Sequence, residues 1–198
     1  MRHSWLPTRS FDPRRRAALW AALPVLIGLC EAARAECGVP SPDYAARRTV
    51  TVAGQTVAMR VNVAGSTIRE ETDLGDGVRV TIRAPGRPIV AFDPRAGTGI
   101  EVPAPRGNQL PTRSIDEVAP DGRRVRVQQV ESRGRWLETS RITCRKDGVM
   151  LRQTFVSVGA QGQELSGTVA QDDITINPQP ASLFEIPADI QITRPDRK

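Results

Sequence analysis

Histidine is almost absent from this chain; the only one is His3. Beyond the N-terminus there is no imidazole to act as a general base, to activate a Ser or Cys nucleophile, or to bind a metal. No G-x-S-x-G, P-loop or dinucleotide fingerprint occurs either. Large rings are scarce. Beyond residue 35 they are Tyr44, Phe92, Trp136, Phe155 and Phe184, so the core must be built mainly of Val, Ile, Leu and Ala. Lysine is limited to Lys146 and Lys198. No apolar run approaches the ~20 residues of a membrane-spanning helix.

The longest apolar run lies near the start. Arg14-Arg15-Arg16 precedes Ala17 to Leu29, and Ala33-Arg34-Ala35 follows. A basic region, an apolar stretch and an A-x-A site, in that order, describe a secretory signal peptide. Cleavage is expected between Ala35 and Glu36, with Ala33 and Ala35 as the small residues. The expected organisation is residues 1–35 as signal peptide and 36–198 as one antiparallel β domain. The rival reading is an uncleaved anchor, which the shortness of the run opposes. Lipidation at Cys30 is opposed by Leu29, which is not small. Arg15-Arg16 also admits a twin-arginine signal. The expected location is periplasmic or secreted, with no membrane span after cleavage.

The leader holds six of the 28 basic and two of the 22 acidic residues. Removing it leaves 22 against 20, a net charge of +2. Most of the basicity therefore belongs to the leader, and a nucleic-acid partner is not expected. Cys37 and Cys144 remain as an even pair in an oxidising compartment, which predicts a disulfide over two free thiols. Closing a loop of about 100 residues would be worth ~4.7 kcal/mol in the chain-entropy model.

Beyond the leader the dominant period is 2, that of strands. Val57, Met59, Val61 and Val63 alternate with Ala58, Arg60, Asn62 and Ala64. Val78, Val80 and Ile82 alternate with Arg79, Thr81 and Arg83, the pattern of a strand with one buried face. Gly65-Ser66 and Gly75-Asp76-Gly77 are turn signals, and Asp147-Gly148 between alternating segments is a hairpin signal. Seven prolines between residues 84 and 120 confine that stretch to short strands, loops and sheet edges. Short helices are expected after Ser41-Pro42-Asp43 and over the capping-box pattern Ser114-Ile115-Asp116-Glu117, and a short turn or helix over Ser182 to Pro187. Gln163 to Ala170 and Ile174 to Asn177 read as two separate strands. In all, roughly ten strands without crossover-length helices predict an antiparallel sheet that must curl, close or split.

Carboxylates gather at Glu70, Glu71, Asp73 and Asp76, and at Asp172-Asp173. Acids beside glycine at strand ends are first of all turn residues. The spacing is not that of an EF-hand loop, so neither metal nor cofactor is expected. A carboxylate pair for glycoside hydrolysis is the remaining enzymatic reading. Arginines 123, 124, 126, 133, 135, 141 and 145 interleave with Glu131, Glu138 and Asp147, which reads as a solvated face before an anion site.

Trp136 through Thr143-Cys144, Asp147-Gly148-Val149, Phe155 and the ending Ser182-Leu183-Phe184-Glu185-Ile186-Pro187 resemble the lipoprotein-carrier superfamily, the LolA/LolB-like fold, and its periplasmic relatives. The resemblance implies a strongly curved antiparallel sheet, an incomplete barrel, with small helices on its concave side and acyl chains as cargo. The chain differs from the carriers in its few aromatics, little helix and predicted disulfide, and no functional residue is carried over. The fold expectation is thus mainly β, with a few short helices and an N-terminal signal helix. The functional expectation is an exported, non-enzymatic binding protein holding a lipid, an acylated protein or another apolar ligand. Candidate wall residues are Met59, Val61, Val80, Ile82, Trp136, Leu151 and Phe155, each of which also suits plain core. The alternative is an envelope module that meets a protein partner through a sheet edge or the Arg-rich face.

Overall fold

The computed structural model describes residues 41–103, 112–132, 135–158 and 162–194. They form one curved, unclosed sheet of twelve strands. The first meander contains β1 (Tyr44–Val52), β2 (Gln55–Ala64), β3 (Thr67–Asp73), β4 (Val78–Arg83), β5 (Ile89–Asp93) and β6 (Thr98–Val102). The second contains β7 (Thr112–Val118), β8 (Arg124–Ser132), β9 (Arg135–Cys144), β10 (Met150–Val158) and β11 (Glu164–Ile176). A 3-10 helix, Ala181–Phe184, and the short strand β12 (Gln191–Thr193) close the chain. The spatial order is β12-β6-β5-β4-β3-β2-β1-β11-β10-β9-β8-β7. The meanders therefore meet at one seam, where β1 pairs with β11.

Curvature follows from covalent geometry. β6 and β7 lie ten inter-strand steps apart in the sheet, about 48 Å if it were flat. The chain from Val102 to Thr112 spans at most about 35 Å. A flat sheet cannot carry that link, so the sheet must bend its two wings toward each other. The right-handed twist of each strand supplies the bend.

Turn chemistry sets the registers. Gly65, at φ +54°, opens the two-residue β2–β3 turn. The β1–β2 turn is Ala53-Gly54, with both residues at positive φ (49° and 78°), as the right-handed twist of a hairpin demands. At the predicted Asp147-Gly148 hairpin the Arg145 N–H donates to the Val149 carbonyl (2.8 Å) and Gly148 takes φ +85°.

Apolar residues pack on both faces. Tyr44, Ala46, Val61, Val63 and Ile68 cluster on one face with Val149 of the β9–β10 turn. Val80, Ile82 and Phe92 cluster on the other, with Ile190 of the C-terminal segment. The register separates the clusters: Val61 lies opposite Glu70, and Glu70 opposite Thr81, so Val80 and Ile82 point the other way. The C-terminal segment is held on the second face by Arg69, whose Nη1 donates to the Leu183 carbonyl at 2.8 Å.

Four sequence expectations need correction. Residues 44–46 are strand, because alternate burial of Tyr44 and Ala46 between β2 and β11 outweighs the helix preference of alanine. Asp43 does not start a helix; its Oδ1 accepts from Gly65 N at 2.8 Å and fixes the β2–β3 turn. Residues 114–117 are also strand, since Asp116 accepts two bonds from Arg126 on β8 (2.6 and 2.7 Å). The two strands read at 163–177 are one. Asp173 sits at φ +50° in a bulge where Asp173 and Ile174 together face Ala46. Finally, β12 runs parallel to β6, unlike every other pair in the sheet. The expected signal helix lies outside the described residues.

Candidate functional site

The strand faces carry two polar features, one sealed and one open. The sealed one starts at Arg48. Period 2 along β1 places it with Tyr44, Ala46 and Val50, and it is 1% exposed. A guanidinium there must be fully bonded or it destabilises the fold. Its Nη1 donates to Glu70 Oε1 at 2.9 Å, and its Nε and Nη2 donate to Gln171 Oε1 at 3.2 and 3.0 Å. Gln171 is fixed in turn by donating to the Met150 carbonyl at 2.6 Å. The second Glu70 oxygen pairs with Arg83 Nη2 at 2.5 Å. Two guanidiniums share one carboxylate, and Arg83 Nε and Nη1 are buried without hydrogen-bond partners among the described residues. This network ties β1, β3, β4 and β11 together across the seam.

The open feature lies on the opposite face of β1. Thr51 faces Thr168, Thr168 faces Thr154, and Thr154 faces Arg141. The row continues on the other side to Thr56, whose Oγ1 is 3.0 Å from Thr51 Oγ1. Thr51, Thr168, Thr154 and Arg141, with Thr139, Ser166, Val156 and the Ala53-Gly54 turn, line a groove of about 510 Å³. Phe155 and Gly167 supply part of its floor. Each threonine presents a hydroxyl and a methyl, Val156 is 43% exposed, and Arg141 is the one cation of the lining. None of the lining residues is acidic. Such a surface presents hydroxyls, methyls and a positive end.

The predicted wall residues do not come together. Val61, Val80 and Phe155 are at most 2% exposed, and Val80 and Ile82 lie on the face opposite Met59 and Val61. Met59 packs on the Tyr44 cluster. Leu151 sits half-buried where the β9–β10 register shifts. For Trp136 only the backbone, opposite Glu131, is described. Among those whose side chains are described, Phe155 alone is part of the groove's lining.

No motif in the sequence marks the groove threonines; their signal is the period, with Thr49 and Thr51 alternating with Val50 and Val52. Arg48 was equally legible from its two-residue spacing to Ala46 and Val50.

Among the described residues the arginines form no single patch. Arg126 pairs with Asp116, Arg145 with Asp147 and Arg123 with Asp121. Arg141 lies opposite Val127 and so on the other face from Arg126. Glu70 and Glu71 also point to opposite faces, and each has an arginine partner. Burial pushes the Glu138 carboxyl above the usual carboxylate range, opposed by a hydrogen bond from Ser157. The Arg126 hydrogen bond holds Asp116 below that range.

The whole chain matches no family profile and no curated protein. Among solved structures it is similar to a LolA superfamily protein from Nitrosomonas europaea. The TM-score is 0.51 at 12% identity, over 79% of this chain and 96% of that one. The fold is LolA-like. At such identity the likeness is one of architecture, which agrees with the curved, unclosed sheet expected from sequence. In this version of the LolA-like fold the only described helix is the four-residue Ala181–Phe184.

Proposed function

We propose that this chain is an exported, non-enzymatic binding protein of the cell envelope. It holds an amphiphile, a lipid or an acylated protein, in the groove over β1, β11, β10 and β9. The observation that carries this reading is the groove itself. It has room for part of an acyl chain along the threonine methyls and Val156, hydroxyls for ester or head-group oxygens, and Arg141 for an anionic end. The LolA-like fold and the leader-like N-terminus support it. No described helix is long and apolar enough to cross a membrane. A Cys37–Cys144 disulfide belongs to the same reading; Cys144 is fully buried, and Cys37 lies outside the described residues.

The test is native mass spectrometry of protein purified from the periplasm of cells expressing the full chain, followed by lipid extraction. The expected result is a bound acyl-chain mass, on a polypeptide two hydrogens lighter than its reduced form. Thr168→Asp, which places a carboxylate in the groove, should strip the ligand. An empty wild-type protein that also fails to bind vesicles of anionic phospholipid would overturn the proposal.

A further inference from the structure

We propose that two copies of this chain join edge to edge through β7, fusing their sheets into one. The inference is independent of the groove and its ligand.

β7 is the terminal strand of the sheet, and residues 113–118 are all exposed. Val118 is 67% and Ile115 45% exposed. A terminal strand offers a row of backbone donors and acceptors, and monomeric proteins blunt it with charged side chains, lysine above all, or with proline, a bulge, a covering segment or shortness. The opposite edge follows that rule, since β12 has three residues. β7 is different. It has seven residues, no lysine or proline, and an unbroken register against β8 from Thr112↔Val130 to Val118↔Arg124, and its charges, Arg113, Asp116 and Glu117, are of both signs.

The strand is complementary to itself in one register. Two copies related by a two-fold axis perpendicular to the sheet pair antiparallel, and the axis must pass through a residue for like faces to match. With the axis at Ile115, all seven residues pair. Arg113 then meets Glu117 of the partner subunit, Ser114 meets Asp116 of the partner subunit, and Ile115 meets its own copy. Arg113, Ile115 and Glu117 share one face, so two opposite-charge pairs flank an apolar centre that continues into Val127 of each copy. Moving the axis to Ser114 sets Arg113 against Ile115. Moving it to Asp116 sets Asp116 against itself. Both shifts also shorten the ladder to five pairs. Full overlap and charge complementarity therefore coincide at one position, which is why a second copy fits this edge.

The test is sedimentation velocity on protein expressed from the full chain and purified after export, from 1 to about 100 μM. The wild type should sediment as a dimer that dissociates on dilution. Arg113→Glu and Glu117→Arg should each weaken the dimer at least tenfold, and the double swap should restore it. Both sites are exposed, and unchanged circular dichroism and melting would show that the variants fold. A wild type that stays monomeric at 100 μM overturns the proposal. So does a dimer indifferent to the single charge reversals, or one that the double swap fails to restore.

Discussion

The ring of Phe155 on β10 covers Gly167 on β11 and fills the space a β-carbon at 167 would need. The backbone carbonyl of Thr51 bounds the same space, 2.9 Å from that position. Glycine is thus required for packing. Gly167→Ala should destabilise the fold by about 1–3 kcal/mol, the usual effect of overpacking a core. Urea unfolding would read it as a lower midpoint at unchanged slope.

Glu70 and Glu71 are neighbours with opposite prospects. Glu70 bridges Arg48 and Arg83, with little of any of the three side chains exposed. Glu70→Ala takes the shared carboxylate from a buried guanidinium, Arg48, and a largely covered one, Arg83, and should cost about 3 kcal/mol. Glu71 pairs with Arg69 in a more exposed setting. Glu71→Ala should cost under about 1 kcal/mol. Chemical denaturation of the two variants side by side checks the contrast.

Glu138 and Asp116 give opposite pH dependences. Burial raises the folded pKa of Glu138, so its contribution to stability is present when it is protonated and is lost as pH rises through that value. For Asp116, lowered by the Arg126 hydrogen bond, the contribution is present above its unfolded value and is lost as pH falls through the folded one. Glu138→Gln should therefore gain in melting temperature relative to wild type between pH 4 and pH 7. Asp116→Asn should show its deficit at pH 7 and lose it in strong acid. Scanning calorimetry at several pH values distinguishes the two.

Ala53 occupies the left-handed region at φ +49° in the β1–β2 turn. Alanine is strained there, and asparagine is tolerated. Ala53→Asn should stabilise the protein by about 1 kcal/mol, measured as a higher unfolding midpoint.

Most of the strand pattern was legible because one-sided burial writes period 2 into the sequence, as in Val57–Val63 and Val78–Ile82. The misreadings share a physical origin. Ser41-Pro42-Asp43 and Ser114–Glu117 carry local helix-start chemistry, but their acids serve cross-strand partners, Gly65 and Arg126, that no local window contains. Asp172-Asp173 looked like a break because a bulge uses the residues of a turn. The wall residues were misplaced because alternation tells which residues share a face within one strand. It does not tell which faces of distant strands coincide. Val61 and Val80 needed the register of β3 to be sorted.

The seam between the meanders has a kinetic consequence. Nearly every other ladder joins neighbours in the chain, but β1 finds β11 only across more than a hundred residues, as in Arg48 and Gln171, 123 positions apart. Such a closure forfeits loop entropy before any contact repays it, and long-range strand pairing is slow. The first strand made must wait for the last long one. Until then its edge stays open and the Arg48 network cannot assemble. The chain is therefore held back from its native state until nearly all of it has been made.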